Sequence, residues 1–168
     1  MVTANAHVFA VGDCADTIQL ARVADAEAQV AAAGIVSRHK GERYDDVMDY
    51  TAVPSVLFTY PQYGMVGATE EALKKKGVAY RKSFDQNLTW PTYKRVGMIS
   101  AAYKLLAGED GQLLGAHVLS DNATGLINIC TLAMLNHIPV DALYRQSVMT
   151  PYPSRESDII YMLKPLIA

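Results

Sequence analysis

Val53-Pro54-Ser55-Val56-Leu57-Phe58-Thr59-Tyr60-Pro61-Gln62-Tyr63-Gly64-Met65-Val66-Gly67-Ala68-Thr69-Glu70-Glu71-Ala72-Leu73 packs a short apolar strand, a proline-broken turn, a second strand ending at Gly67 and a helix start into one run. Thr69 is placed to cap that helix, and Glu70 and Glu71 fall in its first turn, where negative charge suits the helix dipole. The residues alone define a β-β-α unit without chemistry.

Outward from it, Val78–Phe84 and Met98–Leu106 read as strands, and Gly108-Glu109-Asp110-Gly111 turns the chain into a further strand over Leu113–Leu119. The stretch Asn87–Arg95 interleaves Leu88, Trp90, Pro91 and Tyr93 with Lys94 and Arg95; it reads as a loop plugging the sheet rather than a basic-aromatic lip. The spacing predicts a helix over Asn122–Asn136 that is apolar on most sides and carries no charged side chain, so it asks for neighbours beyond one sheet, including a second copy of the chain. A short helix around Val140–Gln146 follows. Pro151 and Pro153 then force an extended approach to Ser154, a good cap for a helix running to Leu163.

Before the opening run, His7–Val11 reads as a buried strand stopped by Gly12-Asp13, followed by an alanine-rich helix over Asp16–Arg38. Its expected packing face is Ala21, Ala24, Ala28, Ala31 and Ile35. One strand and one helix cannot enclose a core. Residues 1–50 carry a net charge of −4 and the remainder +2, a break that places a domain boundary near residue 50.

With 168 residues, 51% hydrophobic, 19% charged and a net charge of −2, the chain has the balance of a globular protein rather than a nucleic-acid or membrane-surface binder. No run approaches the ~18 apolar residues of a membrane span and no signal pattern opens the chain, so a cytoplasmic location is expected. Cys14 and Cys130 form neither a redox pair nor a metal knuckle and read as small buried hydrophobes, and His7, His39, His117 and His137 lack ligand spacing, so no metal is expected.

Val53-Pro54-Ser55-Val56, Phe58-Thr59, Pro61, Val66-Gly67 and Thr69-Glu70 resemble the opening of the dimerisation domain of FAD-dependent pyridine nucleotide-disulfide oxidoreductases, the family of lipoamide dehydrogenase, glutathione reductase and mercuric reductase. Val8-Phe9-Ala10-Val11-Gly12-Asp13-Cys14, with Leu20-Ala21 and Ala24, resembles the last FAD-contacting segment of the same family, and Leu114-Gly115-Ala116-His117 its corresponding strand. The resemblance implies an α+β fold: an antiparallel sheet flanked by helices over 51–168, preceded over 1–50 by a strand-helix remnant of an FAD-binding domain.

It further implies that Gly12 and Asp13 belong to the FAD-binding turn, Gly12 allowing the sharp turn and Asp13 holding a ribityl hydroxyl, and that the Leu20–Ala21 backbone faces the flavin ring. Arg22 stands where relatives commonly have histidine, and Lys104 aligns with a basic residue expected to be a surface charge. Ser120 replaces a usual glycine, and Gly125 sits where the family often has glutamate.

Thr150–Ser157 matches the register of the family's terminal His-Pro-Thr-x-x-Glu signature, whose histidine serves the partner's active site. Tyr152 stands at the histidine position and Ser157 at the glutamate position. A phenol titrating near pH 10 is a poor general base beside an imidazole. Tyr152 is therefore either a hydrogen-bond or weak-acid group at a substrate site or an interface tyrosine.

The glycine fingerprint, the redox cysteine pair and the nicotinamide domain of the family do not occur in this sequence. The first expectation is the dimerisation portion of an FAD-dependent, NAD(P)H-using oxidoreductase. That portion is inactive alone, homodimeric, and joined to the remaining FAD and NAD domains in its parent. The alternative is a stand-alone, non-catalytic dimerisation module. A third reading, an independent enzyme using Tyr152, requires activity that Tyr152→Phe abolishes.

Overall fold

The computed structural model describes residues 1–44 and 47–167, in two compact units, Met1–Thr51 and Ala52–Ala168.

In the first unit, Val2 and Phe9 form an isolated antiparallel bridge; the strand expected over His7–Val11 does not form. Extended backbone becomes a strand only beside a partner, and here the short Met1–Thr3 stretch gives just one bridge, with Thr3 N–H donating to Val8 O and Ala10 N–H to Met1 O. The chain then turns through Gly12–Cys14 and enters helix α1, Ala21–His39. This helix starts five residues later than expected. Small turns, with Thr17 N–H donating to Ala15 O and Leu20 N–H to Ile18 O, occupy the intervening stretch.

The buried line of α1 is Val23, Glu27, Ala31 and Gly34. The alanine face expected instead lies mostly in solvent, with Ala21, Ala28 and Ile35 exposed. The side chain that sets this rotation is Glu27, whose carboxylate is drawn inside by two donors described below.

The second unit is a five-stranded, wholly antiparallel sheet in the order β1-β2-β5-β4-β3, built from β1 (Ser55–Leu57), β2 (Gln62–Gly67), β3 (Arg81–Asp85), β4 (Ala102–Ala107) and β5 (Leu113–Ser120). Helix α2, Glu70–Lys76, follows β2. Thr69 Oγ1 accepts from Ala72 N–H at 3.1 Å, with Glu70 and Glu71 in the first turn and Lys74, Lys75 and Lys76 in the last, the arrangement its dipole favours.

Strand β3 begins three residues later than expected, because Val78 N–H closes the end of α2 on Leu73 O. Strand β4 begins late because Met98 N–H turns back to Tyr93 O, and Ala101 O accepts from Leu88 N–H. Both bonds belong to the segment read as a plug. It contains a short helix α3, Pro91–Lys94, buries Leu88, Thr92 and Tyr93, and packs Trp90 against Tyr93, Tyr103 and Tyr161 at ring-centre distances of 6.0, 5.7 and 5.4 Å.

Side chains alternate across the sheet. Tyr103, Leu105, Ala116 and Val118 enter a core completed by Leu126, Ile127 and Cys130 of α4 (Ala123–Leu135), Leu143 of α5 (Val140–Ser147) and Ile159, Met162 and Leu163 of α6 (Ile159–Leu163). Asn122 caps α4, its Oδ1 accepting from Gly125 N–H at 3.2 Å. The single helix expected from Ser154 is instead a 3-10 turn over Glu156–Asp158 followed by α6. No helix of the described residues is long and apolar enough to cross a membrane.

Candidate functional site

Three places carry the residues singled out in the sequence. The first is the turn before α1. Gly12 holds φ +67°, and a β-carbon there would stand 3.1 Å from that of Ala24, so turn and helix meet closely only with glycine. Its N–H donates to Glu27 Oε2 at 2.6 Å, and Tyr50 Oη donates to Glu27 Oε1 at 2.6 Å. These two bonds, Tyr50 first, hold the Glu27 carboxyl below the usual carboxylate range.

Asp13 is exposed, Leu20 is half-buried, and Ala21 opens α1 with no side chain capping its first amides. Arg22 pairs with Asp25 at 2.9 Å on the open surface. Cys14 is exposed rather than buried: it ends the Gly12–Cys14 turn, its thiol donating to Val11 O at 3.2 Å. Cys130 is buried in the core as expected, which pushes its thiol up to about 12.

The second place is the segment before α6. Arg155 donates from Nε to Asp121 Oδ1 at 2.6 Å and from Nη2 to Asp121 Oδ2 at 2.9 Å, and its guanidinium lies 4.1 Å from the centre of the Tyr93 ring. The Arg155 bonds hold the Asp121 carboxyl below its ordinary value, while burial pushes the Tyr93 phenol up to about 12. Ser154 and Ser157 bond reciprocally, each hydroxyl accepting the other's N–H. Thr92 donates to the buried Asp158, whose carboxyl is raised chiefly by burial.

Glu156 Oε1 accepts from Asn122 Nδ2 at 2.6 Å, which ties the segment to the start of α4. Gly125 makes room for it: a β-carbon there would lie 1.9 Å from that oxygen. Ser120, the other departure from the family's wording, takes the Tyr93 hydroxyl and Asn122 N–H on its own hydroxyl at 3.3 Å.

Tyr152 stands outside all these ties, 68% exposed. Among the described residues no carboxylate is bonded to its hydroxyl, and Glu156 is spent on Asn122. The geometry presents a phenol on a rigid support, able to stack or hydrogen-bond but without a base of its own.

The third place is the outer side of α4. Leu132 is 60% exposed and Leu135 is 51%, so two large aliphatic side chains of an uncharged helix remain uncovered by their own chain.

The sequence reading missed Glu27, the Arg155–Asp121 fork and the Thr92–Asp158 pair. Pairing of distant polar residues leaves no local pattern, and the one available signal was an acidic residue on the inward line of α1. Among the described residues no group of His, Cys, Asp and Glu has the makings of a metal site.

The family profile described as the pyridine nucleotide-disulphide oxidoreductase dimerisation domain matches residues 53–158. The uncharacterized 19.7 kDa protein in the mercuric resistance operon of Staphylococcus aureus is 34% identical over 162 residues, covering 95% of this chain and 86% of that one. Dihydrolipoyl dehydrogenase of Chlamydia pneumoniae is 32% identical over 149 residues, or 82% of this chain but 29% of that enzyme. Among solved structures, LpdA from Mycobacterium tuberculosis superposes with a TM-score of 0.80 at 25% identity, over 95% of this chain and 34% of that one.

The chain thus spans about a third or less of the dehydrogenases it resembles and most of the small staphylococcal protein. On its sheet, its flanking helices and these matches, the chain belongs to the pyridine nucleotide-disulphide oxidoreductase dimerisation-domain family.

Proposed function

We propose that this chain is the self-associating end of an FAD-dependent, NAD(P)H-using oxidoreductase of the disulfide-reductase type, comprising the close of the FAD-binding domain over 1–50 and the dimerisation domain over 51–168, and that it has no turnover alone. The observation that carries this reading is the uncharged helix α4, which leaves Leu132 and Leu135 bare in a family named for dimerisation. A second copy covering them forms a homodimer.

The turn before α1 fits part of a flavin site. Asp13 is exposed to accept hydrogen bonds from ribityl hydroxyls, Gly12 allows the close turn, and the Leu20–Ala21 backbone, uncapped by any side chain, offers amides to the pyrimidine edge. FAD, when bound in the complete parent, carries electrons from the nicotinamide to the acceptor. The chain's own residues would orient it; the pyrophosphate-binding glycines have no counterpart here, so the isolated chain retains FAD weakly or not at all. Such a parent works in the cytoplasm, where NAD(P)H is held. Tyr152 is read as an interface group, because it is exposed and no carboxylate among the described residues is bonded to it.

A second reading, a stand-alone dimerisation module, is favoured by one observation, the staphylococcal relative of similar length. Sedimentation of the purified chain at tens of micromolar, with and without FAD, tests the shared core of both readings. A dimer without bound flavin is expected. A strict monomer overturns the dimerisation reading, and stoichiometric yellow protein overturns the view that most of the flavin site lies elsewhere.

A further inference from the structure

Glu27 is 0% exposed, on the inward line of α1 between Val23 and Ala31. An aliphatic side chain fills such a position at no electrostatic cost, whereas a carboxylate stays inside only where its oxygens are bonded. Here Oε2 takes Gly12 N–H and Oε1 takes the Tyr50 hydroxyl, each at 2.6 Å, and the Thr17 hydroxyl is buried beside them.

The bond to Gly12 differs in kind from the others at that turn. Ala15 N–H closes on Gly12 O at 2.8 Å and the Cys14 thiol on Val11 O at 3.2 Å, both within the turn itself. Among the described residues, Glu27 is the hydrogen-bonding side chain that reaches the turn from another element. The same helix begins at Ala21 with its first amides uncapped by any side chain. One carboxylate thus ties the turn that carries Asp13 to the helix that presents Leu20 and Ala21, while Tyr50 steadies its second oxygen from the close of the first unit, Met1–Thr51.

We propose that Glu27 is the positioning residue of the flavin edge: by joining the Gly12–Asp13 turn to α1 it sets the distance between the Asp13 carboxylate and the Leu20–Ala21 amides, and in this it rests on the flavin reading of those three residues. Fully buried, Glu27 acts only through its neighbours, and Tyr50 acts only through Glu27. What the role requires is two bonds rather than a charge. Glutamine at position 27 can make both, its carbonyl accepting from Gly12 N–H and its amide donating to the Tyr50 oxygen, whereas methionine keeps similar volume and makes neither.

The test titrates the full chain with FMN, which carries the ring and the ribityl chain, into the millimolar range, and follows amide chemical shifts. Saturable shifts at Asp13, Leu20 and Ala21 are expected in the wild type and in Glu27→Gln. Glu27→Met should bind about tenfold more weakly, the worth of one hydrogen bond to a charged group, and its Gly12 N–H should exchange faster with solvent. Tyr50→Phe, which removes a single hydroxyl, should weaken FMN in the same direction and repeats the test should Glu27→Met not fold. Wild-type affinity in Glu27→Met or Tyr50→Phe, or a glutamine variant as weak as the methionine one, would overturn the positioning role and leave the flavin reading standing. No shifts at Asp13, Leu20 and Ala21 in the wild type would overturn the flavin reading itself, and the proposal with it.

Discussion

Glu156 holds the space that a side chain at position 125 would need: its Oε1 lies 1.9 Å from where a β-carbon on Gly125 would be built. The family's wording often places glutamate at 125, and here a carboxylate comes to the same spot from the other segment, fixed by Asn122 at 2.6 Å. Exchange of glycine for alanine within a helix normally stabilises by about 0.5–1 kcal/mol. Gly125→Ala should lose that gain by expelling Glu156, and recover it when Glu156→Ala is also present. Chemical denaturation of the four proteins should give a coupling of about 1 kcal/mol or more; additivity would show that Glu156 yields freely.

The Arg155–Asp121 fork makes a second prediction. Because the folded Asp121 carboxyl lies below its unfolded value, its contribution is complete above about pH 4 and is lost as pH falls through the folded value. Asp121→Asn should cost about 2 kcal/mol at pH 7, the scale of hydrogen bonds to charged groups. It should also flatten the acid limb of the stability profile below about pH 4. An acid limb of wild-type steepness would show that other carboxylates set it.

Asp158 has the opposite sign. Its carboxyl is raised by burial, so the ionised form costs stability at neutral pH and that cost disappears as pH falls. Asp158→Asn keeps an acceptor for Thr92 without the charge. Its melting temperature relative to wild type should be more favourable at pH 7 than at pH 3, and the reverse order would show that the charge itself holds the site together.

Helix α4 gives the association prediction. Leu132→Asp with Leu135→Asp puts charge on positions 60% and 51% exposed, so the fold should change by no more than ~0.5 kcal/mol. A second copy meeting that surface would have to bury both charges, and sedimentation should show monomer. A dimer of undiminished strength would move the interface elsewhere.

For Tyr152, replacement by phenylalanine should leave both unfolding and self-association unchanged, whereas alanine should weaken association alone. A loss of association in Tyr152→Phe would assign the hydroxyl a bond across the interface.

Elements whose ends are written in neighbouring residues could be read directly. The Thr69 cap, the Gly108–Gly111 hairpin and the uncharged run from Ala123 to Leu135 each carry their signal within a few positions, and they suffice for an antiparallel sheet with helices. Boundaries set by remote bonds could not be read. Val78 looks like strand but is taken by Leu73 O, and Met98 is taken by Tyr93 O. The sites divide in the same way. Position 152 is visible from its flanking prolines, while the inward rotation of α1 follows from Gly12 and Tyr50 converging on Glu27 across 15 and 23 residues.

The placement of β5 between β2 and β4 constrains synthesis. The ribbons β1-β2 and β3-β4 share no edge and have nothing to join them until Leu113–Ser120 has been made. The sheet can therefore close only once β5 has emerged from the ribosome. A nascent chain that has emerged only as far as the Gly108–Gly111 turn would expose two separate hairpins, each with an open flank, and would be expected to recruit chaperones until Ser120 has also emerged.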